Sequence, residues 1–189
     1  PVFNTPVSYL KDAIHSVQAQ TYKNWELCLV DGSDEKHSST SSTAERFSRE
    51  DSRIRYQKVQ NAGISENTNV ALKMSRGEYI ALFDHDDILH PSALFEAMQV
   101  ICKENVDFIY TDEATFCGNN IKRIVNFHFK PDFAPDTLRS VNYICHFSVF
   151  AKELLQSTEL FRSAYAGSQD HDMIFRLTHN AKKICHIPK

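Results

Sequence analysis

The sequence of 189 residues lacks several features that would assign it to a specialised class. It has no apolar run approaching the roughly 18 residues that a membrane-spanning helix needs. Its lysines and arginines are dispersed, and no RNA-binding signature occurs, so nucleic acid is not an expected partner. Only five glycines are present, and no glycine-rich or basic loop of the kind that holds phosphates stands out.

The cysteines are five in number, without CxxC spacing, which argues against a disulfide framework and against a zinc site. Reduced, mostly buried thiols in a cytosolic environment are the expectation. A net charge of -3 and 42% apolar residues are typical of a globular protein. The length suits a single domain spanning residues 1–189, and we expect the chain to be truncated at both ends because it opens on Pro1 without a methionine.

Helical and strand-like segments alternate along the first part of the chain. The segments "WELCLVD", "RIRYQKV", "GEYIALFD" and "VDFIYTDE" are strand-like, and stretches of helical periodicity separate them. The Ser/Thr-rich run at 38–43 is interpreted as part of an exposed loop that feeds a helix at 44–50. This alternation predicts an α/β fold, with a mostly parallel sheet flanked by helices. After Glu113 the pattern is less regular and predicts a mixed C-terminal extension of the same sheet.

Three of the four predicted strands end in an acidic residue, namely Asp31, Asp84 and Asp112. Ligands of open α/β sheets bind at the carboxyl ends of the strands. Carboxylates that converge there repel one another unless they bind a cation or hydrogen-bond a polyhydroxyl ligand. The sequence therefore predicts a ligand site at this edge.

The stretch "FDHDD" carries the densest group of acids. Asp84 and Asp86 are two residues apart and point the same way in an extended segment. One carboxylate can meet a divalent ion while the other bonds a ribose, and such oxygen ligands favour Mg²⁺ or Mn²⁺. The alternative is that Asp87 caps the following helix and the rest is a solvated loop, since a bare DxD is a weak signal.

Four segments in order carry a resemblance to a known family: "PVFN", "QTYKNWELCLVDGS", "NAGISENTNVALKMSRGEYIALFDHDD" and "GSQDHDMIFRL". Together they resemble the family 2 glycosyltransferases, inverting enzymes with the Rossmann-like GT-A fold that use nucleotide-activated sugars. The likeness covers nearly the whole chain, and "FKPDFAPDTLRSVNYICHFSVF" is similar to bacterial surface-polysaccharide enzymes. It implies a nucleotide-binding half at 1–113 and an acceptor-side half at 114–189.

The resemblance also assigns roles on the donor side. Residues that frame the nucleotide and the donor sugar are implied to be Pro1, Phe3, Asn4, Asp31, Asn61, Gly63, Asp84, Asp86 and Asp112. Asp31 matches the acid that bonds the base, usually uracil. Asp84 and Asp86 match the metal pair, with Asp86 as the direct ligand of Mn²⁺ or Mg²⁺.

On the acceptor side, Asp170 matches the catalytic base, at the start of a helix beneath the acceptor. Asp172 is a lesser candidate, and His171 and Glu113 are implied to line the acceptor. From the residues alone, Asp170 is equally well read as a helix N-cap. Phe127, Phe129 and Phe133, near Lys130, are a hypothetical stacking surface for sugar.

Some features depart from the family pattern. Asp31 is a single acid at a position where the family usually has two. Thr68 occupies a position where the family often has a basic residue. The family also commonly has a histidine at a position beyond the last residue of this sequence. His146 and His186 lie in strand-like runs and are interpreted as hydrogen-bonded core or edge residues, not as ligands.

The expected function is that of a metal-dependent inverting hexosyl- or N-acetylhexosaminyl-transferase. It would move a sugar from a UDP-sugar to a hydroxyl of a saccharide or lipid-linked acceptor in polysaccharide biosynthesis. The expected place is the cytoplasm, with peripheral association at the inner face of the membrane. A catalytically silent nucleotide-sugar-binding module of a larger synthase is the alternative, and a nucleotidyltransferase or phosphohydrolase ranks lower because no phosphate loop is evident.

Overall fold

The computed structural model describes residues 1–118 and 123–189. Within them lie six α-helices and eight strands. The helices are α1 Val7–Gln18, α2 Ser38–Glu50, α3 Ile64–Met74, α4 Ala93–Glu104, α5 Pro135–Ser140 and α6 Gln169–Asn180. The strands are β1 Leu27–Asp31, β2 Ile54–Lys58, β3 Tyr79–Leu82, β4 Phe108–Thr111, β5 Glu113–Phe116, β6 Ile124–His128, β7 Ser148–Ala151 and β8 Ile184–Ile187.

The strands form three sheets. β1 and β2 pair in parallel, β5 and β6 form an antiparallel hairpin, and the remaining strands form a sheet in the order β3-β7-β4-β8. In that sheet β7 is antiparallel to β3 and to β4, while β8 is parallel to β4. The predicted α/β class is confirmed, but the sheet is not purely parallel. The expected extension after Glu113 places one strand, β7, between two strands of the first half.

Helix α2 begins earlier than predicted. It starts at Ser38, so the Ser/Thr run predicted as a loop is helical, and that prediction is wrong. Ser and Thr disfavour helix interiors because their hydroxyls compete for backbone groups. Here the Thr43 hydroxyl donates to the carbonyl of Ser39 in the preceding turn, and the buried Thr40 hydroxyl donates to the carbonyl of Thr5 at 2.8 Å. Tertiary contact therefore outweighs the local preference.

Helix α6 packs across the four-stranded sheet. Its apolar residues Met173, Ile174 and Leu177 have no exposed area and lie in one core cluster with Phe108 of β4 and Phe150 of β7. Full burial of such side chains stabilises a fold by about 1.5–3 kcal/mol each. This packing fixes the first turn of α6, and therefore Asp170, relative to the strands.

The cysteines are all free, as predicted, but they are not mostly buried, since Cys102 and Cys117 are exposed. Among the described residues, no helix has the length and apolar character needed to cross a membrane.

Candidate active site

The pairing of β3 with β7 sets the centre of the site. Leu82, the last residue of β3, pairs with Ser148, the first residue of β7. Asp84 follows β3 by two residues, and His146 precedes β7 by two residues, so both lie beyond this end of the strand pair. The distance from Nε2 of His146 to Oδ2 of Asp84 is 3.4 Å. The end of a strand in the first half thus meets a residue from the second half.

Asp87 joins this pair. Nδ1 of His146 lies 3.9 Å from Oδ2 of Asp87, and ligand atoms of Asp84, Asp87 and His146 all lie within 4.8 Å of one another. The three side chains are one third to one half exposed, so a ligand can reach them. The interpretation of Asp87 as a helix cap is wrong, because α4 begins at Ala93.

Asp86 lies outside this group of three. Its carboxylate is 53% exposed, and its Oδ1 lies 3.6 Å from Nδ1 of His85. The structure therefore brings Asp84 of the expected metal pair into the cluster and places Asp86 beside it. Burial raises the pKa of Asp87, and the charges of Asp84 and Asp86 raise it further while His146 opposes them. A bound cation would relieve this repulsion.

Asp170 lies in the first turn of α6, within electrostatic range of Asp84 and His146. The N-cap position belongs to Ser168, so the alternative reading of Asp170 as the N-cap is wrong. Burial raises the pKa of Asp170, and the negative charge of Asp84 raises it further, whereas His146 lowers it. The side-chain amide of Gln169 donates to Asp170 at 2.7 Å. A carboxylate with a raised pKa is suited to accept a proton.

The two neighbours of Asp170 are engaged elsewhere. The carboxylate of Asp172 accepts hydrogen bonds from Arg162 and from Arg176, and its side chain is only 9% exposed. Nε2 of His171 donates to the carbonyl of Leu138 at 2.5 Å. Both side chains are thus held by contacts within the protein.

Asp112 and Glu113 also have internal partners. Oδ1 of Asp112 accepts from the main-chain N–H of Lys130 at 2.9 Å and from Nε2 of His186 at 2.7 Å. Glu113 accepts from His128 at 2.8 Å and from the main-chain N–H of His146 at 2.7 Å. These acids support the wall of the site. The buried, hydrogen-bonded character predicted for His186 is confirmed.

Asp31 is fully buried at the end of β1. Its carboxylate accepts from the main-chain N–H of Ser33 at 2.8 Å, from the Tyr56 hydroxyl at 3.0 Å and from Lys58 at 3.1 Å. Burial opposes ionisation of Asp31, but hydrogen bonds from Ser41, Ser33 and Lys58 outweigh it and hold its pKa below the ordinary value. The carboxylate therefore organises the turn after β1 from within.

The expected nucleoside side is a set of turns that hydrogen-bond to one another. The main-chain N–H of Asn4 donates to the Ser33 hydroxyl at 2.9 Å. Asn61 accepts from the main-chain N–H of Gly63 at 3.0 Å and from Asn67 at 2.9 Å. Gly63 has a φ of 91° and a ψ of 166°, a conformation essentially confined to glycine.

The remaining residues that were expected to contact the donor or the sugar lie at the edge of the candidate site. Pro1 lines a small cleft together with Asp84 and His85, and the Phe3 side chain is 47% exposed. Of the hypothetical aromatic surface, Phe127 and Phe129 stack with ring centroids 5.6 Å apart and remain exposed. Phe133 is not part of that pair, because it packs partly buried against the core.

Comparison with known proteins decides the family. The sequence model described as "Glycosyl transferase family 2" matches residues 1–157, most of the chain. The chain belongs to glycosyl transferase family 2. The predicted resemblance is thereby confirmed, and with it the expectation of a glycosyltransferase domain.

Curated relatives of this family 2 domain are much longer proteins. The protein y4gI of Sinorhizobium fredii is 37% identical over 193 residues, which cover 100% of this chain and 21% of the relative. The O-antigen biosynthesis protein RfbC of Myxococcus xanthus is 34% identical, over 99% of this chain and 15% of the relative. The chain thus spans about a fifth or less of the length of these two proteins.

Solved structures share the fold of the family 2 domain. S. aureus TarS 1–349 in complex with UDP-GlcNAc superposes with a TM-score of 0.75 at 20% identity, covering 100% of this chain and 54% of TarS. The mannosyltransferase PcManGT from Pyrobaculum calidifontis, in complex with GDP-Man and Mn²⁺, gives a TM-score of 0.68 at 16% identity, covering 100% and 53%. At these identities the likeness establishes the fold.

The residue that sequence reasoning missed in this family 2 domain is His146. It was interpreted as a core or edge histidine, yet its ring lies between Asp84 and Asp87. The signal was its position two residues before an apolar strand. That signal has meaning only once β7 is known to pair with β3.

Proposed function

We propose that this domain is a metal-dependent inverting glycosyltransferase that moves a sugar from a UDP-sugar to a hydroxyl of an acceptor. The observation that carries the proposal is the meeting of two carboxylate groups with different roles. Asp84 lies at the end of β3, and its charge raises the pKa of Asp170 at the start of α6. A group that can bind diphosphate through a cation therefore lies within electrostatic range of a group that can accept a proton.

Asp170 is the proposed general base. It takes the proton of the acceptor hydroxyl as that oxygen forms a bond to the anomeric carbon. The bond from the anomeric carbon to the diphosphate oxygen breaks at the same time, on the opposite face, so the configuration inverts. General-base assistance of this kind contributes roughly 100- to 10,000-fold in rate. The raised pKa of Asp170 makes it a stronger base than an ordinary aspartate.

The residues present fit a divalent cation. The ligand atoms of Asp84, Asp87 and His146 lie within 4.8 Å of one another, and Asp86 is adjacent. Asp84, Asp87 and the adjacent Asp86 are the proposed carboxylates on the metal side. A bound Mn²⁺ or Mg²⁺ supplies positive charge that stabilises the leaving diphosphate.

The donor and the pathway are proposed from the relatives. TarS was solved with UDP-GlcNAc, which supports a UDP-sugar and a hexosyl or N-acetylhexosaminyl group, while PcManGT was solved with GDP-Man and Mn²⁺. RfbC is named for O-antigen biosynthesis, which supports a saccharide or lipid-linked acceptor in polysaccharide assembly. Cytoplasmic action at the inner face of the membrane follows from those substrates. The silent binding module is not favoured, because Asp170 has a raised pKa and lies within electrostatic range of Asp84.

Thermal melting with nucleotides tests donor binding. The chain is melted with UDP, GDP, CDP and dTDP, each with and without Mn²⁺. A ligand at about 100 times its dissociation constant adds about 2.7 kcal/mol, a clear rise in melting temperature. We expect UDP to stabilise only when Mn²⁺ is present and Asp84→Ala to abolish the effect. The matched control is Asp136→Ala, because Asp136 is 90% exposed and contacts Arg139 only on the surface.

A measurement of turnover distinguishes an active transferase from a catalytically silent binding module. UDP release from UDP-GlcNAc, with water or an added saccharide as acceptor, is measured in the wild type and in Asp170→Asn. Release by the wild type that falls in the variant supports transfer. UDP–Mn²⁺ binding with no release at any enzyme concentration would favour the module.

A further inference from the structure

His146 brings a nitrogen atom to a group of oxygen ligands. Its Nε2 and Nδ1 lie 3.4 Å and 3.9 Å from carboxylate oxygens of Asp84 and Asp87, and its side chain is 35% exposed. His146 lies two residues before β7, whose first residue, Ser148, pairs with Leu82 of β3. One imidazole and two carboxylates therefore converge on one point.

The main chain of His146 is held by a buried lysine. Lys130 has no exposed side-chain area, and its Nζ donates to the carbonyl of His146 at 2.6 Å and to the carbonyl of Ile144 at 2.9 Å. Glu113 accepts from the N–H of His146 and lies 3.6 Å from the same Nζ. Burial of a charged lysine is costly unless the charge is paired and hydrogen-bonded. Here Lys130 holds the carbonyl of His146, and Glu113, which lies beside that charge, holds its N–H.

We propose that His146, positioned by Lys130 and Glu113, is a direct nitrogen ligand of the cation and makes the site prefer Mn²⁺ to Mg²⁺. Mg²⁺ takes oxygen ligands almost exclusively, whereas first-row transition ions accept imidazole. An aspartate-only site would accept either ion. This inference rests on the proposed function, because it specifies the metal of the same site.

Pulsed electron paramagnetic resonance of Mn²⁺ gives a direct readout. The 189-residue chain is loaded with Mn²⁺ and UDP, and the spin echo is examined for modulation by a coordinated nitrogen. Labelling with ¹⁵N-histidine assigns that nitrogen to a histidine and not to the uracil ring. We expect nitrogen modulation in the wild type and in His90→Ala, and its loss in His146→Ala. His90 is the control because it lies on the loop that carries Asp84 and Asp87 and contacts Ser92.

Metal affinity gives a second readout. We expect His146→Ala to weaken Mn²⁺ binding by about 10- to 100-fold, the range seen when a metal site loses a supporting group, while Mg²⁺ binding changes little. Unchanged Mn²⁺ affinity, or nitrogen modulation that persists in His146→Ala, would overturn the proposal. If UDP–Mn²⁺ stabilises the chain but no histidine nitrogen is detected, the ligand assignment fails while the transferase proposal stands. If neither metal nor UDP binds the wild type, both fail.

Lys130 and Glu113 are tested as positioning residues. Lys130→Met removes the donor to two carbonyls, and Glu113→Gln keeps an acceptor for the His146 N–H but removes the charge beside Lys130. We expect each to lower Mn²⁺ affinity more than Mg²⁺ affinity, at a temperature well below its own melting point. Equal losses for both ions would indicate a structural role only. Glu113→Gln keeps the test decisive if Lys130→Met does not fold.

Discussion

Asp172 and Arg176 lie one turn apart on α6, with the guanidinium 2.7 Å from the carboxylate, and Arg162 binds the same carboxylate from outside the helix. Among the described residues, the one side-chain hydrogen-bond partner of Asp170, two residues earlier, is Gln169. Of these two aspartates in one helical turn, Asp172 is held in a structural ion pair, whereas Asp170 is left available for the site.

This division predicts opposite consequences for two matched variants. Asp170→Asn should lower kcat by about 100-fold or more, because the general base is lost, with little change in melting temperature. Asp172→Asn should instead lower the melting temperature, because two arginines lose a charged partner. UDP release and thermal melting are measured on both. A reversed pattern, with Asp172→Asn folded but inactive and Asp170→Asn active, would assign the base to Asp172.

The raised pKa of Asp170 predicts the acid side of the pH–rate profile. The active form is the carboxylate, so activity rises with pH as Asp170 loses its proton. Because burial and the charge of Asp84 raise its pKa, the midpoint of kcat/KM should lie above the ordinary aspartate value of 3.8. Melting curves at each pH show whether the chain stays folded there. A midpoint at or below 3.8 in folded protein would contradict the assignment.

The buried carboxylate of Asp31 predicts a cost for removing its tyrosine partner. Tyr56→Phe deletes the hydroxyl that donates to Asp31 at 3.0 Å. An unsatisfied buried polar group costs roughly 1–3 kcal/mol, and urea unfolding should show a loss of that size. Tyr9→Phe is the control, since the Tyr9 side chain is 44% exposed and its change should stay within about 0.5 kcal/mol. Equal stabilities of the two variants would show that Lys58 and Ser33 alone satisfy Asp31.

The backbone conformation of Gly63 predicts that replacement by either alanine or asparagine destabilises the protein. No atom lies within 4 Å of a Cβ built there, so any cost of Gly63→Ala comes from the backbone. A φ of 91° with a ψ of 166° lies outside the left-handed helical region that asparagine tolerates. Both Gly63→Ala and Gly63→Asn should therefore lose about 1–3 kcal/mol in urea unfolding. Recovery of stability in Gly63→Asn would mean that the turn can shift.

The sequence reveals the local elements of this fold well and the pairing of distant strands poorly. The spacing of Leu10, Ile14 and Val17 predicts α1, because one buried stripe requires that period. The start of α2 was missed because the bond from Thr40 to the carbonyl of Thr5 is a tertiary contact that no local pattern contains. The hairpin β5–β6 was missed because its residues are largely exposed, so burial imposes no alternation on them.

The site residues were likewise predictable where a local motif contains them and not where their position depends on strand pairing. Asp84 and Asp170 were found because ordered motifs contain them, and the structure brings their charges together. The roles of Asp87 and His146 depend on which strand lies beside β3. The period of hydrophobic residues identifies β7 as a strand but does not say where it inserts. The partner strand therefore had to come from the structure.

The insertion of β7 between β3 and β4 also bears on how the chain folds as it is made. β3 and β4 hydrogen-bond to β7, so neither edge is completed until residues 148–151 have left the ribosome. Contacts between residues far apart in sequence slow folding, and unpaired strand edges invite aggregation in the interval. A nascent chain that ends near residue 113 should accordingly be sensitive to proteases, and synthesis past α6 should protect it.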